Sequence, residues 1–172
     1  PAFTQLDGEL VFDRDAMLIH RARARLGSVG SGRFEINNVE GRIDHLGHDA
    51  TLVIDGQGKG PLPDALRLVQ GTPLNGWTGH ALGEASGDGP IDLSLGLTLR
   101  LTRIADSTVR GSVKLPGVSL RLIPEAPVMS NLRGKVDFTE RGVTLQTTAS
   151  LLGGNATFEG GDVMPVGNGV VL

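Results

Sequence analysis

The chain has 172 residues, 16 basic and 19 acidic, for a net charge of −3. Its 26 Gly, about 15% of the chain, are roughly twice the usual share, while aromatics make up 3% and Tyr and Cys are absent. No cysteine means no disulfide framework, thiolate metal site or thiol nucleophile. A weakly acidic, aromatic-poor chain lacks the basic face and stacking rings of a nucleic-acid binder, and no run reaches the ~18 apolar residues of a spanning helix.

In chain order, Leu6-Asp-Gly8-Glu-Leu10-Val-Phe12 opens a hairpin that recurs as Leu132-Arg-Gly134-Lys-Val136-Asp-Phe138, at an offset of 126. Met17 and Ile19 align with Val143 and Leu145, and Leu26-Gly27 with Leu152-Gly153. Arg33-Phe34-Glu35 resembles Thr157-Phe158-Glu159 after a two-residue shift. Repeated hairpin units near 6–27 and 132–153 imply elements that stack on copies of themselves. Within the first unit, Arg21-Ala-Arg23-Ala-Arg25 places three guanidiniums on one strand face. They suit lipid phosphates at a groove rim, or else form a charged solvent face. Residues 27–32 read as a flexible turn.

A strand follows over Ala50 to Gly56, and Gly56-Gln-Gly58-Lys-Gly60 reads as a strand-ending turn, since its spacing does not fit a phosphate loop. Leu62, Ala65, Leu66, Leu68 and Val69 stand at helical spacing, with Pro63 and Asp64 suited to a first turn. Gly71 and Pro73 stop that helix, a second short helix fits 74–85, and residues 86–90 read as a loop. Ile91, Leu93, Leu95, Leu97, Leu99 and Leu101 then occupy every odd position against polar residues or Gly. At period two this is a half-exposed strand about 36 Å long. Val109 to Leu115 and Val118 to Leu122 alternate likewise, and Pro116-Gly117 between them predicts a hairpin turn. Leu132 to Phe138 and Val143 to Leu145 complete the alternating set.

The polar residues show no catalytic spacing. His45-Leu-Gly-His48, flanked by Asp44 and Asp49, reads as a solvated turn rather than a metal site. The carboxylates are dispersed at turns and polar faces, and no nucleophile elbow occurs. No enzymatic activity, catalytic residue, metal or cofactor is expected.

Gly60-Pro61-Leu62-Pro63-Asp64-Ala65-Leu66, Thr72-Pro73-Leu74, the strand 91–101, Leu132-Arg-Gly134-Lys-Val136-Asp-Phe138 and Leu151-Leu152-Gly153-Gly154 together resemble the central domain of YhdP-like proteins. These belong to the AsmA-like superfamily of bacterial envelope proteins, related to the TamB group. The resemblance spans essentially the whole chain. It implies a periplasmic body, in a parent protein anchored in the inner membrane of a Gram-negative bacterium. That body is a long curled β-sheet, and its apolar groove passes phospholipid between inner and outer membranes.

The expectation is therefore a mainly β fold: an elongated, curved antiparallel sheet with one helical insertion at about 62–85. Residues 1–172 form a single domain cut from a larger, repeat-built β protein. The chain opens on Pro1 without an initiator Met or signal-peptide pattern, in keeping with that. The lipid-facing candidates are Ile91, Leu93, Leu95, Leu97, Leu99, Leu101, Val113, Leu115, Leu120 and Leu122; the headgroup candidates are Arg21, Arg23 and Arg25. Expected partners are phospholipid, neighbouring repeats of the same chain and an envelope protein, but no nucleic acid. The alternative is a scaffolding β module for envelope or outer-membrane protein assembly, its apolar face packed as an ordinary core and its edges pairing with neighbours.

Overall fold

The computed structural model describes residues 3–26, 34–47, 49–71, 74–77, 80 and 82–161. These build one open, ten-stranded antiparallel sheet, and the chain is mainly β. The strands are β1 (Phe3–Asp13), β2 (Ala16–Leu26), β3 (Phe34–Ile43), β4 (Thr51–Pro61), β5 (Ser86–Asp88), β6 (Pro90–Arg100), β7 (Thr108–Arg121), β8 (Met129–Thr139), β9 (Gly142–Leu151) and β10 (Gly154–Gly160). Two helices, α1 (Leu62–Gln70) and α2 (Leu74–Trp77), lie between β4 and β5. Strand order follows chain order, so nearly every pairing is a local meander; β5 alone stands off the path and pairs with β7. Among the described residues no helix is long and apolar enough to cross a membrane.

Short turns set the register. Arg14 (φ 55°) turns β1 into β2, while Leu152 (φ 51°) and Gly153 (φ 84°) turn β9 into β10. At 152–153 two consecutive positive φ angles define the tight hairpin turn whose twist matches its strands, whereas in the first turn Arg14 alone is positive. In β1–β2, Phe12 faces Met17 and Leu10 faces Ile19. In β8–β9, Phe138 faces Val143 and Val136 faces Leu145. The two hairpins therefore share one register at the offset seen in the sequence. Bulges interrupt the ladders beside Arg21 (φ 50°), Asn38 (φ 51°) and Asn131 (φ 51°). Each bends its strand and increases the local twist.

Pro116-Gly117 does not turn the chain: β7 runs through it for 14 residues as one strand. The proline, which has no N–H to give a ladder, falls where β6 has stopped pairing at Lys114 and β5 begins at Ser119. Gly117 (φ 132°) takes up the resulting register shift against β8. Residues 86–90 are not a loop, because 86–88 form β5 and Pro90 opens β6. Nor do the glycines at 56–60 end their strand: β4 continues to Pro61, paired residue by residue with β6. Gly58 is needed there because the ring of buried Phe34 lies across it; a Cβ at 58 would stand 2.5 Å from Phe34 Cε1. The expected turn at 27–32 lies outside the described residues.

Helix α1 has the anticipated signals. A proline sits in its first turn, Asp64 complements the N-terminal dipole, and the Gly71 amide closes the C-terminus on the Arg67 carbonyl at 3.1 Å. The second helix is one turn, Leu74–Trp77, far short of the 74–85 expected. Leu62, Ala65 and Leu66 of α1 are buried with Ala85, Phe34, Ile91, Leu115, Val118, Leu132 and Ala149. This cluster is the core, and it occupies only the end of the sheet where α1 sits.

Candidate functional site

The registers place the aliphatic positions of successive strands side by side. One row crosses six strands as Leu10, Ile19, Gly41, Ile54, Leu97 and Val109. A second runs as Phe12, Met17, Ile43, Leu52 and Leu99. A third, nearer α1, runs as Ile36, Gly58, Leu93, Val113, Val136 and Leu145. Strands about 4.8 Å apart make the six-strand row roughly 24 Å long. No charged side chain enters these rows. Where the six-strand row ends, the Glu140 carboxylate accepts the Val109 amide at 3.3 Å.

Helix α1 divides this face in two. Beneath and beside it, Ile91 (3% exposed) and Leu115 (8%) are enclosed, and Leu93, Val113 and Leu120 pack against the same cluster. Away from it, Leu95, Leu97 and Leu99 are half-buried and have no covering element among the described residues. Leu10 (58%) and Phe12 (66%) lie open at one flank. Leu101 is in the turn after β6 and Leu122 beyond the end of β7, both exposed. The lipid-facing candidates thus fall into an enclosed group, an open group and two turn residues. The lipid-facing set expected from the sequence leaves out the row positions from β1 to β4, together with Val109, Phe138 and Val143, although the last three stand in strands that the sequence reads as alternating. Only the register shows what they adjoin: Ile54 and Val109 flank Leu97, whereas Val143 and Phe138 line up through Gly111 with Leu95.

The opposite face is polar and laced by ion pairs at partnered positions, such as Lys59–Asp92 at 3.4 Å. Arg110 reaches across Gly96 to Asp55 at 3.1 Å, through space that a Cβ at 96 would occupy. A shallow depression of about 400 Å³ lies around this pair, bordered also by Asn38, Gln57 and Ser94. Its charges are mutually neutralised. Arg23 and Arg25 project on this polar face, paired with Asp7 (3.4 Å) and Glu35 (3.1 Å), while Ala22 and Ala24, which alternate with them, are buried on the aliphatic side. Arg21 does not share their alternation, because its positive φ makes it the bulge residue. The thickness of the sheet separates Arg23 and Arg25 from the aliphatic rows.

Two histidines tie strands together. His45 Nδ1 lies 3.0 Å from Asp15 Oδ2, and this hydrogen bond raises the imidazole pKa above 6.5 and lowers that of the carboxyl below 3.8. Glu40 is held below its ordinary value first by the Arg21 amide and then by His20, whose Nδ1 is 2.8 Å away. The Lys135 ammonium lowers Asp137 in the same way, at 2.8 Å. His48 lies outside the described residues, and among those described no three His, Cys, Asp or Glu side chains converge as metal ligands would.

Comparison with known proteins gives one finding. No curated protein and no solved structure matches the chain. A family model described as YhdP protein matches residues 1–164. The whole described sheet, from Phe3 to Gly160, lies within that match, and the chain belongs to the YhdP family.

Proposed function

We propose that this chain is a non-enzymatic segment of an envelope lipid-transport protein, and that its open aliphatic rows carry phospholipid acyl chains across the periplasm between inner and outer membranes. One observation carries the reading: the rows continue from strand to strand without a charged side chain, and along them Leu10 and Phe12 are exposed and Leu97 and Leu99 half-buried, although Ile43 and Val109 are buried. Contiguous apolar surface of this kind marks an interaction site, because leaving it in water costs about 25 cal/mol per Å². Leu, Ile and Val grip a hydrocarbon chain by dispersion and area alone. They impose no orientation, which suits passage along the rows better than tight capture. An open trough also needs no enclosed cavity, in keeping with a surface rather than a pocket.

The test is position-specific photo-crosslinking in cells, with a photoreactive residue at Leu97 or, as control, at its neighbour Thr98 on the polar face. Phospholipid captured at 97 and not at 98 is the expected result. Equal capture at both, or at neither, refutes the reading. The scaffolding alternative predicts protein adducts through the outer edges of β1 and β10, the terminal strands of the sheet order.

A further inference from the structure

We infer that helix α1, with the 82–85 turn fastened to it, is a hinged cover that competes with acyl chains for the inner part of the aliphatic face. This rests on the acyl-chain reading and adds its regulation. The insertion leaves the sheet at Pro61 and rejoins it through β5 (Ser86–Asp88) on β7, and Pro61 faces Pro90, the first residue of β6, in the β4–β6 ladder. The sheet is therefore closed behind the insertion, and its register does not depend on where α1 sits. The Leu62 amide, bonded to the Gly89 carbonyl at 2.8 Å, marks the hinge line. At the other end of α1, Gln70 Nε2 donates to the carbonyls of Leu82 (2.9 Å) and Ala85 (3.1 Å), so the helix and the 82–85 turn move together, while β5, paired with β7 from Ser86, stays on the sheet.

The seat of the cover is chemically the same surface as the open rows. Ile91 and Leu93 extend the stripe of Leu95, Leu97 and Leu99 along one strand. Helix α1 meets that surface through a single stripe of Leu62, Ala65 and Leu66, where a hydrocarbon chain would otherwise lie. Closure also carries a built-in opposing term. Asp64 is only 6% exposed, and its carboxylate pairs with Arg67 of the same helix. Dehydrating a carboxylate weakens the seat. Since both members belong to α1, the pair lifts with it.

Hydrogen exchange of the 172-residue chain, with and without palmitoyl lysophosphatidylcholine, tests the cover, and native mass spectrometry reports binding separately. The expected result is a probe adduct together with exchange of the α1 amides about tenfold faster than in the free chain, while β4–β6 amides are unchanged. An adduct with unchanged or slower α1 exchange overturns the cover and leaves the acyl-chain reading standing. Absence of any adduct overturns both. Leu66→Ser loosens the seat without touching the sheet, and should raise probe occupancy roughly tenfold at sub-saturating concentration. Unchanged occupancy, with the far-ultraviolet β signal retained, also overturns the cover.

Discussion

Replacing Gly111 by alanine probes how the aliphatic face is built. Gly111 and Phe138 are direct cross-strand partners between β7 and β8, and the phenyl ring lies over the glycine. A Cβ at 111 would stand 2.1 Å from Phe138 Cζ and within 2.7 Å of both Cε atoms. Ordinary contact begins near 3.4 Å, so the ring must move by more than an ångström or β7 must shift. Overpacking of that size costs about 1–3 kcal/mol, which for a chain of this length lowers Tm by roughly 2–4 °C per kcal/mol. Thermal unfolding followed by circular dichroism measures it. Adding Phe138→Leu should recover part of the loss, because the smaller side chain vacates the space; this non-additivity identifies the pair as the cause. Gly96→Ala on the polar face is the contrast, since its new methyl meets the flexible end of Arg110, 2.7 Å from Nε, and the carboxylate of Asp55. An equal loss at 96 and 111, or no recovery with Phe138→Leu, would refute the idea that the ring needs the glycine.

Further substitutions test the turns, the bulges and the strand ties. Gly134→Ala should destabilise more than Gly111→Ala, because φ is 136° and the new Cβ would lie 2.0 Å from the backbone carbonyl of Gln146, which cannot rotate away; equal urea midpoints would contradict this. Leu152→Asn should stabilise by about 0.5–1 kcal/mol, since Leu152 is 88% exposed at a positive φ and contributes little packing; a lower midpoint would show that the leucine has another role. The His45–Asp15 tie has two pH limits. His45 is raised, so its contribution is fully present below 6.5 and disappears as pH climbs through the folded value; Asp15 is lowered, so its contribution is present above 3.8 and disappears as pH falls through the folded value. Protection of the Leu46 amide, bonded to the Asp15 carbonyl at 2.7 Å, should therefore be greatest between those limits. A His45 titration unaffected by Asp15→Asn would break the argument.

The glycine content acquires a structural meaning from these contacts. Gly41, Gly56, Gly58 and Gly111 lie on the aliphatic side: Gly41 partners Ile54, Gly58 partners Leu93, and Gly56 and Gly111 flank Leu95. At 58 and 111 a phenylalanine from the neighbouring strand fills the space left by the missing side chain. Bulky residues at every partnered position would crowd one another wherever the strands bend toward that face. Interleaved glycine relieves the crowding and still leaves a hydrocarbon surface, because the neighbouring side chain covers the exposed backbone.

Much of this was legible locally. Strict alternation marks β6, because burial on one side of a strand has period two whatever its neighbours are. Proline, first-turn aspartate and terminal glycine mark α1, because they act on the helix's own backbone. The repeated hairpin is readable since its two-residue turns fix register within each unit. Pro116-Gly117 was misread because a turn signal and a strand bulge use the same residues; whether the chain reverses there depends on β5 and β8 alongside. β5 itself, Ser-Gly-Asp, has no side-chain signature and exists only as backbone pairing to β7.

By itself, then, the sequence determined an aliphatic, one-sided antiparallel sheet with one amphipathic helix and without catalytic spacing, since hydrophobic period and helix signals act over a few residues. Only the tertiary structure decided which stripes adjoin, that Arg23 and Arg25 stand on the polar side, and that α1 covers one end of the aliphatic face while Leu95, Leu97 and Leu99 stay uncovered. Those are matters of register and docking. They are fixed by partners up to tens of residues away, where a shift of one residue would move every side chain to the other face.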